Sequence, residues 1–379
     1  MENKCLGKKI KISGKKNNEN SSDNELNEKR AKDEDSKIIN KKDKISSKII
    51  DTSPINLVYF KDLVSDSYGK FNNNSFCVFE SINGQLYLIY FSRNGSLISY
   101  NLNKFQKINE IKKAYNSSSV INFRHYLDKS NKRDLIISIS IKDNSIKLWD
   151  IRDFQILLIF ENINNYGFLF SACFLNIEEE IYIVTSNCNI VGNAEPIKVF
   201  DLNCNLVKTI NSQEETIFYI DVYYDKAFSM NFIITGGFEY VKSYNYNVGE
   251  IYNKYTENCQ MRYNSVIIND KGSEVKIIAP SVRGDIVIWN FHSGDLLKKI
   301  ESNDIAIVDI CHWNKDYFLT ASNNNTIKII DIEKEYNVKN LFIDNDCFET
   351  IKKINHPCYG ECLLAHSTNY HKIKMWKIE

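Results

Sequence analysis

The 379-residue sequence contains no apolar run long enough to cross a bilayer. The longest, YGFLFSACFL at 166–175, falls well short of the ~20 residues a spanning helix needs. The opening MENKCLGKKIKIS has neither the apolar stretch of a secretory leader nor a Met-Gly acylation start. Glycine (14) and proline (4) are scarce, and no Gly-rich phosphate cradle is present. Gly-x-Ser-x-Gly and His-Glu-x-x-His are absent, and the six histidines form no catalytic pairing by spacing. Net charge is zero, 48 basic against 48 acidic residues, so no global field favours nucleic acid or an anionic membrane. These absences set an expectation of a chain in the cytoplasm, the nucleus or both, neither secreted nor membrane-spanning. No cofactor, small-molecule substrate or direct nucleic-acid binding is expected.

What is present is aromatic and apolar. Hydrophobic residues make up 43%, with 22 Tyr and 21 Phe, enough for a sizeable core. The ten cysteines are scattered, most of them inside alternating apolar runs, where a reduced thiol packs as a small hydrophobe. Residues 1–52 read as a disordered, basic, low-complexity tail: 14 Lys or Arg stand against 9 Asp or Glu in the first 50, with few large apolar side chains. KKIKISGKK and NKKDK there suit a solvated tail, a nuclear address or a tether to an anionic surface.

From residue 53 onward one phrase returns: SLISYN, SIKLWD, PIKVFD, YVKSYN, DIVIWN, TIKIID and KIKMWK. Its anchor position holds Tyr100, Trp149, Phe200, Tyr244, Trp289, Ile330 and Trp376, at intervals of 41 to 51 residues. Asp150, Asp201 and Asp331 follow three of these anchors and are read with them as structural, each tying down the next turn. In the sixth unit IAIVDICHW, YFLTAS, TIKIIDI and a run near VKNLFI make four short strands. Both faces of such strands are largely apolar, so each sheet must be sandwiched between neighbours. Radial stacking of seven four-stranded units closes a propeller. The seventh unit ends after its third strand, and INLVYF (55–60) has no sheet of its own. Pairing the two satisfies both edges and latches the ring.

These residues resemble the WD-repeat family of β-propellers over essentially all of 54–379. KDNSIKLWD (142–150), LTASNNNTIKIID (319–331) and RGDIVIWN (283–290) carry the resemblance. It implies an all-β, single seven-bladed WD-repeat propeller. Departures are marked: the family's Gly-His pair is missing and its turn aspartate survives only as Asp143, so the family's intrablade hydrogen-bonded chain should be mostly lost. Asparagine fills many turns where glycine is usual, consistent with its tolerance of left-handed φ.

Functional expectations follow. The resemblance implies a non-catalytic scaffold that assembles other proteins, acting as a monomer within a larger complex. Asp143, Ile146, Leu148, Trp149, Asp150 and Arg152 together resemble the box by which some WD-repeat proteins dock onto the adaptor of a cullin-RING ubiquitin ligase. Arg152 is then the docking residue, with Asp143 beside it in the candidate set; otherwise it is a rim residue paired with Asp153 or Glu161. Residues 218–255, with Tyr263 beyond, hold nine tyrosines, and Tyr246, Tyr252 and Tyr255 are candidates for a partner-binding patch on blades 4 and 5. HPCYGECLLAH (356–366) has metal-like Cys and His spacing but reads as a core strand, since Cys362, Leu364 and His366 rise apart along one face. A hydrolase or lyase with a site in the central channel would need converging acid, base or metal ligands there.

Overall fold

The computed structural model describes residues 55–67, 75–115, 120–141, 143–161, 167–189, 195–211, 216–256, 265–272, 274–281, 283–301, 306–333, 337–342 and 346–379. The tail expected over 1–52, and Tyr263, lie outside these. Among the described residues every regular element is a strand, and the strands form seven four-stranded antiparallel sheets. Blades 1 to 6 span 76–111, 120–161, 167–210, 217–255, 267–301 and 307–342. The seventh combines 348–378 with the strand Leu57–Val64, which pairs antiparallel with Lys372–Ile378 and supplies the outermost position. The latch anticipated at 55–60 therefore exists and runs four residues further. Contacts between blades concentrate on their first strands, which therefore line the axis, while the fourth strands form the rim.

Burial follows from the alternation. Seven apolar clusters fill the seven seams between neighbouring blades. The repeated anchor always faces the preceding blade: Tyr100 packs against blade 7, Trp149 against blade 1, Phe200 against 2, Tyr244 against 3, Trp289 against 4, Ile330 against 5 and Trp376 against 6. Their neighbours along the strand face the following blade; Leu148 lies in the seam with blade 3. A single phrase thus fills two seams at once.

The residue after the anchor caps the next turn. Asn101, Asp150, Asp201, Asn245, Asn290 and Asp331 each accept a hydrogen bond from a backbone N–H two or three residues on. Phe105, Phe154 and Cys204 take positive φ in three of these turns, and Gly249 and Gly294 in two more. Asparagine after the anchor serves as the acceptor, because its side-chain oxygen replaces a missing backbone partner. Left-handed φ is supplied by asparagine in a different turn, the one entering the anchor strand, where Asn144 and Asn325 take the place of Gly95 and Gly284 as the sequence suggested.

Polar ties supplement the apolar seams. In blade 2, Trp149 Nε1 donates to Ser138 Oγ at 2.7 Å, and the Tyr115 hydroxyl lies 2.7 Å from the same oxygen. In blade 7, Lys374 and Ser367 both engage the buried carboxylate of Asp346. On the rim, Lys208, Asn253 and Lys298 share one register position, and each donates to two successive carbonyls of the next blade's turn.

Candidate functional site

Three regions can meet a partner or ligand: the axis, the blade 2 turn and the rim. Around the axis, a belt of hydrogen bonds joins inner strands at equivalent positions. Ser75 Oγ donates to Thr350 Oγ1 at 3.0 Å, Asn122 Nδ2 to Ser171 Oγ at 3.1 Å, and the Tyr219 hydroxyl to the Val266 carbonyl at 2.9 Å. The Ile351 N–H donates to Asp309 Oδ2 at 2.9 Å. Two residues further along stand Cys77, Arg124, Cys173, Asp221, Cys311 and Lys352. Arg124 of blade 2 reaches past blade 3 to the Ile220 carbonyl (3.4 Å) and to Asp221 Oδ2 (3.7 Å), both in blade 4. Burial pushes Asp309 up to about 6, against the opposing pull of Lys352 and Arg124. It also pushes the Cys77 and Cys311 thiols up to about 12, which makes them poor nucleophiles near neutral pH. Among the described residues no group of three or more His, Cys, Asp or Glu is arranged to hold a metal ion. Cys362 and His366 are buried in the strand Gly360–Ser367, as HPCYGECLLAH suggested.

Three of the six histidines act as staples between blades. His312 Nε2 lies 2.9 Å from the Ile268 carbonyl, His356 Nε2 lies 3.1 Å from that of Leu102, and His292 Nε2 lies 3.2 Å from Asp225. His125 Nε2 lies 2.8 Å from Asp134, whose other oxygen accepts from Ser81 at 2.8 Å. The carboxylate stands between serine and imidazole, the reverse of a nucleophilic triad.

His366 yields a pH prediction. Burial, reinforced by His371, pushes its pKa down to about 4. The unfolded chain, near 6.5, takes up a proton that the folded state refuses, so this stability is present above pH 6.5 and is lost as pH falls towards 4. By pH 5 the loss amounts to about 2 kcal/mol. Urea denaturation at pH 7 and pH 5 should show a drop that is about 2 kcal/mol smaller in His366→Phe. Equal drops in both proteins would contradict the assignment.

At the blade 2 turn, Arg152 is 56% exposed and its Nη2 lies 2.7 Å from Asp150 Oδ2, with Nε also on that carboxylate. The partner is Asp150, not Asp153 or Glu161, because the tight turn folds the guanidinium back onto the residue that caps it. Asp143 sits at the opposite end of the strand Ser145–Asp150, hydrogen-bonded to Ser140 Oγ. Six residues at about 3.3 Å each separate the two ends, so Asp143 and Arg152 do not touch each other.

The tyrosine patch needs a similar correction. Tyr255 is fully buried, donating to the Phe291 carbonyl at 2.6 Å and packing on Trp289, and so leaves the docking set. Tyr246 is half-buried with Lys208 over its ring, and Tyr252 stays partly exposed against Phe232 and Phe291.

Sequence reading missed the rim. In every blade the outer strand carries an extra residue, a bulge, opposite the step into the anchor: Phe60 in the latch, which has a second bulge at Leu63, then Ile108, Leu157, Val207, Tyr252, Leu297 and Val338. All seven are apolar. In blades 2 to 5 the residue before the bulge is apolar too, producing Ile156–Leu157, Leu206–Val207, Ile251–Tyr252 and Leu296–Leu297, each side chain 37–54% exposed. The signal was the apolar pair following each turn, visible in ILLIF, LVKTI, EIYNKY and LLKKI.

Together these features define a closed seven-bladed β-propeller with an apolar rim on four consecutive blades. No protein-family model matches the chain, and no curated protein matches it. Among solved structures it is similar to Raptor from Chaetomium thermophilum, with a TM-score of 0.65 and 10% identity over 86% of this chain. The match covers 30% of that chain, and at such identity it shows the fold alone.

Proposed function

We propose that the protein is a non-catalytic interaction scaffold of WD-repeat type, whose rim on blades 2 to 5 docks the components of a multiprotein complex. The reading rests on one observation: the four exposed apolar pairs recur at the same register on consecutive outer strands. Single exposed apolar residues are ordinary, and the repetition of the pairs on adjoining blades is what supports the docking reading. The bulges beneath them interrupt edge pairing, which favours docking through side chains over strand addition. The acids of the axis support a structural role there, since Asp309 accepts two backbone N–H groups and Asp221 accepts one.

The test is affinity capture of the full chain from native lysate, with and without Leu206→Ser, Val207→Ser, Leu296→Ser and Leu297→Ser. Each substitution should change stability by no more than about 0.5 kcal/mol, as at an exposed site. The co-purifying complex should be lost. A complex retained intact, or a native chain that elutes alone, would overturn the reading.

A second reading, a substrate receptor of a cullin-RING ligase, draws on the exposed Arg152 held in place by Asp150. Arg152→Ala should then remove a cullin adaptor from the captured set while leaving the fold intact.

A further inference from the structure

A groove of about 630 Å³ opens at the junction of blades 2, 3 and 4, on the side of the first-to-second-strand turns. Its walls are aromatic and apolar: Tyr126 from blade 2, Phe174 and Ile177 from blade 3, Val222 and Tyr224 from blade 4. Tyr126 and Phe174 lie with centroids 5.3 Å apart, and Asn176 donates its amide to the Tyr126 hydroxyl, so this wall is fixed. Tyr224 is 50% exposed and offers an uncovered ring. The amides of Asn231 and Asn247 add polar groups to the floor.

One end of this groove is acidic. Glu178 lines it and begins the run Glu178–Glu179–Glu180, all exposed. Glu178 and Glu179 occupy the two central turn positions with φ of 48° and 74°, where Asn-Gly is the usual choice. Neither carboxylate has an ion-pair partner among the described residues. Near the other end, the Lys208 ammonium is engaged by the carbonyls of Tyr246 and Asn247. The neighbouring blade 4 turn carries one cation, Lys226, and one anion, Asp225, the latter paired with His292. The blade 2 turn beside Tyr126 carries the exposed Lys129 and Lys132, so the unpaired acidic charge is confined to the blade 3 turn, at Glu178 and Glu179, where the aromatic walls begin.

We propose that this groove receives a basic peptide segment of a partner protein, with an Arg or Lys side chain on Glu178 and Glu179 and its stem along Tyr126, Phe174 and Tyr224. Aromatic faces beside carboxylates match such a side chain twice: the cation meets opposite charge, and its aliphatic stem or guanidinium plane meets a π-surface. An acidic or purely apolar segment would leave both glutamates unpaired. The proposal rests on the scaffold reading but uses a surface separate from the rim pairs.

The test uses a fluorescein-labelled peptide of alternating Arg and Ser, its Glu-for-Arg counterpart, and anisotropy titration with the full chain. The basic peptide should bind, and the acidic one should not. The double variant Glu178→Gln, Glu179→Gln should weaken binding at least about tenfold, as should Tyr224→Ser. The rim variant at Leu206, Val207, Leu296 and Leu297 should bind as the native chain does. Equal binding of both peptides, or an affinity unmoved by the glutamine pair and by Tyr224→Ser, overturns the groove assignment. Failure here with a rim-dependent complex intact removes the groove alone; loss of the rim effect with peptide binding intact removes the rim reading alone.

Discussion

Trp149→Ala is expected to cost about 3–5 kcal/mol, a large part of a domain's whole stability. The indole is fully buried in the seam between blades 1 and 2, against Phe91, Leu97 and Phe123. Its removal leaves a cavity and also strips the Nε1–H bond from Ser138, which Tyr115 shares. A lost buried hydrogen-bond partner adds to the cavity cost. Trp149→Phe separates the two terms: it keeps most of the apolar volume and loses the bond, so it should cost less than half as much. Equilibrium denaturation measures both. A loss below about 1 kcal/mol for the alanine variant would mean that this residue is not a wedge between blades, and the anchor register would fail with it.

Removing the latch should have a larger effect still. Ile55, Leu57, Leu63 and Val64 are buried by contact with blades 6, 7 and 1, and side chains of this kind contribute about 1.5–3 kcal/mol each on burial. Their sum is comparable with the ~5–15 kcal/mol that holds a typical domain together. The strand also satisfies the backbone edge of Lys372–Ile378, and Lys372 donates to Asp62. A chain that starts at residue 65 should therefore lose cooperative unfolding and expose the edge of blade 7 to aggregation. A truncated chain with the native midpoint and slope in urea would show that the ring closes without it.

Much of this architecture is legible in the sequence because it rests on period. The anchors from Tyr100 to Trp376 recur at near-constant spacing, and alternation assigns their faces without knowledge of any partner. The latch was also visible, as a strand lacking a sheet beside a sheet lacking a strand. Its extension to Val64 was not, because bulges at Phe60 and Leu63 carry the ladder beyond the alternating run. Features that depend on contacts between distant segments stayed hidden. Tyr255 is interior only because Trp289 and Phe291 of the next blade close over it. The tie from Lys374 to Asp346 links residues 28 apart through a turn with no motif of its own. Arg152 finds Asp150 because of the turn's geometry, which charge spacing alone does not encode. The rim pairs were in plain view but unremarkable one at a time; only the common bulge register turns them into a surface.

Ring closure sets the positions of all these surfaces, since the rim on blades 2 to 5 and the groove at blades 2 to 4 exist as described only if the seven sheets share one axis. Native-state amide hydrogen exchange over residues 57–64, read by peptide mass spectrometry on the full chain, tests that closure most directly. If the latch completes blade 7, the amides paired with Lys372–Ile378 will exchange only through global opening, with protection matching that of the inner strands. Exchange of this segment within seconds, while the blade interiors stay protected, would contradict a ring closed by its N-terminal strand.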